Sequence, residues 1–408
     1  MGIILNITAA VAVGWYNRWR NSMRTRILRP VLNQGSVIIC GGRSGHFTDN
    51  VNYELTLAED LKLEAFRTYC ERLAQNSCGA LVLSAEYQIP SPDLHGIAQN
   101  LPDCAFLGKN VSYMPLNTAD IGRNGINAAY RFFSRIIDSY CRRTTANKSV
   151  ILDTVHMLLS LIYDAIGGEF LTFPNIKVLA DALTASSQTA FQNYCSRITS
   201  RKFPSDWEDF LVLRWDEIRR NFTPFWDDMT RTIERYSVPS ARSESLYYML
   251  SSGRICLCGL SSPDDPFRDI ILSELALVHD MRVNFSLLDY CVPLPDVQET
   301  GCLKNRTCVI IGISLRALNI SATDLTVPSC VCLGVKPEDA KDIMQSFVPP
   351  GGWVDVRFGL GRHGSHVDFG HIARPPLYEA DLTFPRIPDG SAMCLAPDGY
   401  EFIQRVTV

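Results

Sequence analysis

The chain has 408 residues, 46% of them hydrophobic and 20% charged, which is enough apolar mass for one large domain or a few smaller ones and excludes a disordered chain. With 39 basic against 43 acidic residues the formal net charge is -4, so no global cationic field directs the protein to nucleic acid. The same composition excludes collagen-like, low-complexity and small disulfide-framework classes.

The first organised feature is residues 1–30. Ile3 to Tyr16 is apolar apart from Asn6 and Thr8, and Arg18, Arg20, Arg24, Arg26 and Arg29 follow before any acidic residue. Fourteen helical residues reach only ~21 Å, against ~30 Å of hydrocarbon in a bilayer. With no basic stretch ahead of it, the segment does not read as a secretory signal. It reads either as a short interfacial anchor across residues 3–29, arginines on the cytoplasmic side, or as an apolar helix docked on protein.

Beyond Pro30 strand-like and helix-like segments alternate. Val37–Cys40 is a short apolar run entering the turn Gly41-Gly42, Leu55 to Ala74 has a helical pattern, Gly79 to Ser84 is a second apolar run, and Val111 to Pro115 is a third candidate strand. From 121 to 248 the pattern is helical, with Trp207, Trp215 and Trp226 among polar residues, and Arg201 to Arg242 carries eight basic and eight acidic side chains. Strand-like runs return at Arg254–Leu260, Val283–Leu288, Thr307–Ile313, Cys330–Val335 and Ala392–Ala396. Runs apolar on both faces and separated by helices predict a mostly parallel sheet covered by helices. The expected organisation is therefore an α/β domain made of 31–120 and 249–408, with an all-helical domain, 121–248, inserted into it.

The 14 cysteines include no C-x-x-C pair. In Cys256-Leu-Cys258 and Cys330-Val-Cys332 the two thiols share one face of a strand, so each pair is expected to pack as small hydrophobes, reduced in a cytosolic body. Zinc held by these four together would match no ribbon or finger spacing.

In a parallel sheet the ligand site lies at the carboxyl ends of the strands, so the turn after Val37–Cys40 matters most. A phosphate-binding loop, G-x-x-x-x-G-K-[ST], needs glycines to let backbone N–H groups surround phosphate, a lysine to neutralise it and a hydroxyl for Mg²⁺. The register here is Cys40-Gly41-Gly42-Arg43-Ser44-Gly45-His46-Phe47. The second glycine is present as Gly45; cysteine stands at the first, His46 at the lysine and Phe47 at the hydroxyl. Farther on, Val283 to Asp289 is a hydrophobic strand ending in aspartate, as a Walker B motif would be. The next residue is Tyr290 rather than a glutamate, and a phenol is no base at neutral pH.

The order of the whole set resembles the TraG/TraD-like coupling proteins of conjugative type IV secretion, within the HerA/FtsK superfamily of P-loop motors. Leu81-Val-Leu-Ser-Ala-Glu86-Tyr87 sits where that family has an Asp-Pro-Lys-Gly-Glu-like turn, and Asn124-Gly-Ile-Asn127-Ala resembles its Asn-Pro segment without the proline. Leu287-Leu-Asp289-Tyr290-Cys-Val-Pro293-Leu-Pro295 is similar to Leu-Asp-Glu-Phe-x-x-Leu-Pro, and Thr307 to Ser314 lies where a strand ends in a Gln-Ser sensor, with Ile313 at the glutamine. Arg374-Pro375-Pro376-Leu377, Asp381-Leu382 and Pro388-Asp-Gly390 resemble the closing pattern.

The resemblance implies a P-loop NTPase-like fold of RecA/FtsK type, with Gly45 and Asp289 at adjacent strand ends. It implies a degenerate nucleotide-contact set of Gly41, Gly42, Ser44, Gly45, His46 and Asp289, with no catalytic residue. Lysine, hydroxyl, glutamate and sensor glutamine are all replaced, so the expectation is a non-hydrolysing structural or adaptor subunit without a cofactor, ATP and Mg²⁺ being the alternative. The partners implied are other subunits of a secretion or conjugation complex, including an intact paralogous ATPase; DNA is a further candidate, although no basic patch supports it. The implied location is the cytoplasm, at the inner face of the cell membrane if residues 3–29 anchor. Two other functions compete: an atypical but active DNA-translocating ATPase, and an α/β binding protein unrelated to secretion. No metal site is expected. His363, His366, Asp368 and His371 match neither the zincin helix pair nor a finger. His95, His156 and His279 are isolated and read as structural, and neither Ser44 nor Ser314 has a His–Asp partner nearby in sequence.

Overall fold

The computed structural model describes residues 37–41, a few positions within 67–75, 79–85, 99–117 without 102, 126–199 without 169–170, 203–280 without 240 and 262–264, 285–290, 307–312 and 329–348. It also describes short stretches between 354 and 403. The strands along the chain are β1 (Val37–Cys40), β2 (Gly79–Ala85), β3 (Ala105–Phe106), β4 (Ser112–Tyr113), β5 (Ser243–Glu244), β6 (Ile255–Leu260), β7 (Phe285–Tyr290) and β8 (Thr307–Gly312). They continue as β9 (Ser329–Cys332), β10 (Val354–Asp355), β11 (Gly359–Gly361), β12 (Gly364–His366), β13 (Ile372–Ala373), β14 (Ala392–Ala396) and β15 (Gly399–Ile403). The helices are α1 (Ile126–Arg143), α2 (Lys148–Ile166), α3 (Phe173–Ala185), α4 (Gln188–Thr199), α5 (Ser205–Glu234), α6 (Leu246–Ser251), α7 (Pro266–Asp280) and α8 (Pro337–Phe347). The protein is α/β with mostly parallel strands, and it divides into two compact units: 1–75 with 286–299 and 303–408, and 76–285 with 300–302.

In the first unit the strand order is β15-β14-β9-β1-β8-β7. β1 runs parallel to both its neighbours, with Ile38 opposite Ile310 and Cys330, and Cys40 opposite Gly312 and Cys332. β7 runs parallel to β8, with Asp289 opposite Ile310. β14 and β15 close the edge antiparallel. Ile38, Ile39 and Cys40 are all essentially inaccessible, as the two-faced apolar run requires of a central parallel strand. α8 begins at Pro337, whose fixed φ and missing N–H suit a first helical turn, and buries Ala340, Ile343 and Phe347 at helical spacing.

In the second unit β2 pairs with β6 and β6 with β3, all parallel, and β4 pairs with β5. Among the described residues no strand interrupts α1 to α5. α1 buries Ala128, Ala129, Phe132, Phe133, Ile136, Ile137 and Tyr140, one stripe of 3.6-residue period. This stripe packs on α2 and α7. Among the described residues Trp226 of α5 is the largest fully buried side chain. Phe173 and Phe222 both stack on it, and its indole N–H donates to Asp181 Oδ1 at 2.8 Å. Such burial is worth ~3–5 kcal/mol against alanine.

Seven of the expected strands are present: β1, β2, β6, β7, β8, β9 and β14. The third candidate run, Val111–Pro115, is reduced to two strand residues. In the predicted helix Leu55 to Ala74 only three described positions, Arg67, Cys70 and Glu71, are placed, and all three are helical. The segment 3–29 lies outside the described residues. Among those described, no helix is long and apolar enough to cross a membrane.

Candidate functional site at the carboxyl edge of the parallel strands

Four parallel strands of the first unit, β9-β1-β8-β7, present their carboxyl ends along one edge. From β1 the next strand of the unit in sequence is β7, beyond β8 on one side; from β9 the chain passes through α8 to β14 on the other. The departing connections therefore diverge between β1 and β9, which is where an open α/β sheet leaves its crevice.

Gly41 closes β1 with φ +96°, a conformation that glycine enters without steric cost. A Cβ on Gly41 would stand 2.6 Å from the Gly334 carbonyl oxygen. Gly334, in the turn after β9, also has positive φ, +84°, and the neighbouring Leu333 N–H donates to the Cys40 carbonyl at 2.8 Å. The two turns are thus packed backbone against backbone.

Of the remaining sequence-derived site residues, Gly42, Ser44, Gly45 and His46 lie outside the described residues. Asp289 is the fifth residue of β7, level with Ile38 two strands away. The expectation of adjacent strand ends needs correction, because β8 lies between β1 and β7. Two strand spacings of ~4.8 Å and a two-residue offset of ~3.3 Å per residue separate the Asp289 and Cys40 backbones by roughly 12 Å. Both belong to the same edge, so β8 widens the gap without removing Asp289 from it. The donor set written into this edge does not fit Mg²⁺-nucleotide: it supplies neither the lysine nor the hydroxyl, and the residue after Asp289 is a tyrosine.

Three thiols lie directly beneath the paired turns. Cys40 and Cys332 are the last residues of β1 and β9 and face each other in register; Cys330, two residues earlier on β9, shares their face. The Cys330 Sγ stands 3.9 Å from Cys40 Sγ and 3.7 Å from Cys332 Sγ, and all three sulfurs lie within 4.8 Å of one another. Hydrogen bonds to Cys332 and Cys40, together with burial, hold the Cys330 thiol well above its usual range. The sequence paired Cys330 with Cys332 on one face but gave no sign that Cys40, 290 positions away, completes the set. Cys256 and Cys258 belong to β6 in the other unit and take no part. None of the ten cysteines whose side chains the structure describes forms a disulfide.

Asp265 and Glu274 are the most deeply buried of the four buried carboxylates among the described residues of the second unit, and sequence reading passed over both. Asp265, just before α7, accepts from Ser261 Oγ at 2.7 Å, Phe267 N–H at 3.0 Å, Ser261 N–H at 3.2 Å and Arg235 Nη2 at 2.9 Å. Burial alone would raise its pKa. The Ser261 and Phe267 hydrogen bonds and the Arg235 charge outweigh that and leave the carboxyl below its ordinary value. Tyr236 Oη donates to the Gly259 carbonyl at 2.9 Å and lies 3.3 Å from Asp265 Oδ2. With so many donors Asp265 acts as a latch between the end of β6 and the start of α7.

Glu274, in mid-α7, is fully buried and accepts from Tyr113 Oη at 2.5 Å, Leu116 N–H at 3.2 Å and Leu246 N–H at 3.3 Å. Burial pushes it up to about 7, although all three donors favour the charged form. A sequence signal existed for Glu274, which falls on the stripe Phe267, Ile270, Ile271, Glu274 of an otherwise apolar helix face.

An open cleft of about 590 Å³ lies between α1 and α5, lined by Arg143, Arg219 and Arg231 but equally by Asp227 and Asp228. Its mixed charge offers no continuous track for a phosphate backbone. His156 packs edge-on against the rings of Tyr130 and Trp207, a structural position. Of the histidine-rich segment, His366 ends β12 in a short antiparallel hairpin with β11; His363, Asp368 and His371 lie outside the described residues. No family model matches the chain, and no curated protein matches it.

Proposed function

We propose that the protein is a coupling-protein-like component of a conjugative or type IV secretion machinery, built on a P-loop NTPase-like fold and acting as a structural or adaptor subunit without ATP turnover. The observation that carries the reading is the parallel set β9-β1-β8-β7, which brings the glycine turn after β1 and the aspartate of β7 to one carboxyl edge although 248 positions separate Gly41 from Asp289. The motif order along the chain supports it, as does the uninterrupted run of helices α1 to α5 between strands. Its partners would be other subunits of the transfer complex, including an active paralogous ATPase, in the cytoplasm and at the membrane face if residues 3–29 anchor there.

The absence of turnover follows from the chemistry of the edge. Phosphoryl transfer relies on fixed positive charge and a positioned water. Histidine, at position 46 in place of lysine, is not a fixed cation, since an ordinary imidazole has a pKa of about 6.5, and Tyr290 cannot activate water. One missing electrostatic donor costs roughly 3–4 kcal/mol in comparable sites. The test is equilibrium binding of a fluorescent ATP analogue together with steady-state phosphate release, each with Asp289→Ala as control. Binding that is weakened by Asp289→Ala, without turnover, supports a regulatory nucleotide site; no binding supports a scaffold. Turnover near ~1 s⁻¹ that Asp289→Ala abolishes refutes the non-hydrolysing reading in favour of a working motor.

A further inference from the structure

We propose that Cys40, Cys330 and Cys332 form a buried three-sulfur site for a soft, thiophilic d¹⁰ cation, Zn²⁺ or Cu⁺. Metal–sulfur bonds of about 2.3 Å place sulfur atoms about 3.8 Å apart in a tetrahedral shell and about 4.0 Å apart in a trigonal one. Two edges of the sulfur triangle, 3.7 and 3.9 Å, match those spacings, and the third lies within 4.8 Å. The arrangement is supported by the sheet: two thiols come from one face of β9 and one from its register partner on β1, so the backbone holds the triangle before any ion arrives. Preorganisation of this kind lowers the cost of binding.

Location adds a second reason. Cys40 and Cys332 are the terminal residues of their strands, at the switch point where the chain leaves β1 and β9 in opposite directions. Small hydrophobes packing in a sheet need no such position. Cys394 of β14 pairs with Val331 and so projects from the other face, and among the described residues no histidine or carboxylate joins the group. A sulfur-only set selects Zn²⁺ or Cu⁺ over Mg²⁺ or Ca²⁺. Binding replaces thiol protons, which pass to solvent. Zn²⁺ with two thiolates and one neutral thiol is uncharged after releasing two protons, and Cu⁺ reaches neutrality after one. The dry setting favours these neutral states, and affinity must fall as pH falls. The proposal stands apart from the nucleotide reading, since the sulfur triangle forms whether or not a nucleotide binds.

The experiment uses the full chain, purified reduced and metal-free, titrated separately with Zn²⁺ and Cu⁺ against chromophoric chelators and with Co²⁺ as an optical probe. One equivalent should bind, with a thiolate-to-cobalt charge-transfer band and release of protons into weak buffer. Cys330→Ala should weaken binding at least 100-fold, whereas Cys256→Ala should leave it unchanged. Equal binding by the wild type and Cys330→Ala, or no stoichiometric binding of either metal, would overturn the proposal. X-ray absorption on the loaded wild type needs no variant. Three sulfur neighbours at about 2.3 Å support the site, and a first shell dominated by nitrogen or oxygen overturns it.

Discussion

Removing the titratable proton of Glu274 should change how stability depends on pH. The carboxyl is fully buried in α7, with no cation among its partners, and its pKa rises from 4.5 to about 7. A raised acid pKa means that the folded chain holds the proton more tightly than the unfolded one. Its contribution to stability is therefore complete below pH ~4.5, falls between pH ~4.5 and ~7, and is flat above. A difference of about 2.5 pK units at 1.36 kcal/mol each corresponds to roughly 3 kcal/mol across that window. Glu274→Gln keeps the shape and removes the titration, but sets an amide N–H₂ against the Leu116 or Leu246 N–H, at a pH-independent cost of ~1–3 kcal/mol. Urea unfolding of wild type and variant at pH 5, 6, 7 and 8 isolates the term. The variant should be the less stable at pH 5, and the gap should close or reverse by pH 8. Parallel stability curves for the two proteins would refute the assignment of a buried, proton-holding Glu274.

Asp265→Ala should destabilise the chain by ~2–4 kcal/mol in the same assay, since it removes the helix cap of α7 and strands the Ser261 hydroxyl; little of this belongs to half-exposed Arg235. Because the Asp265 pKa is lowered, its contribution is present above the unfolded value near ~3.9 and is lost as pH falls below it, opposite in sign to Glu274. Gly41→Ala combines a positive φ with a 2.6 Å approach to the Gly334 oxygen. It should cost ~1–3 kcal/mol, read as a lowered unfolding midpoint in the full chain.

What the sequence made legible follows from physics local to each segment. β1, β2, β6 and β9 are apolar on both faces, and only a covered parallel sheet accommodates such runs, so their existence and class were readable. β3 and β5 are two residues long and carry no periodicity to detect. β15, Gly-Tyr-Glu-Phe-Ile, carries a charge and a glycine in five residues, and its pairing with β14 depends on a two-residue connection rather than on composition. Strand order was not readable at all. The position of β8 between β1 and β7 depends on its pairing with β1, whose partner residues lie 272 positions apart, and no single segment encodes it. The joining of Cys40 to Cys330 and Cys332 has the same cause. Glu274 was readable in principle, as an acid on an apolar helical stripe, whereas Asp265, in the sequence Pro-Asp-Asp-Pro, resembles any surface aspartate until its donors are seen.

The glycine turn after β1 can be explained without reference to phosphate. Gly41 is demanded by positive φ and by the Gly334 carbonyl packed against it, so any chain with this β1–β9 contact needs a glycine there, nucleotide or not. Gly41 therefore carries little weight for nucleotide binding. That weight falls on the parallel order that brings Asp289 to the same edge and on the order of the motifs along the chain. Groups that a sheet needs in order to pack are present at this edge, and groups that only phosphate chemistry needs are replaced in the sequence. The adaptor role proposed above, assembly without turnover, would give this distribution. The two proposals are tested separately at this one edge: Asp289→Ala bears on nucleotide affinity and Cys330→Ala on metal affinity.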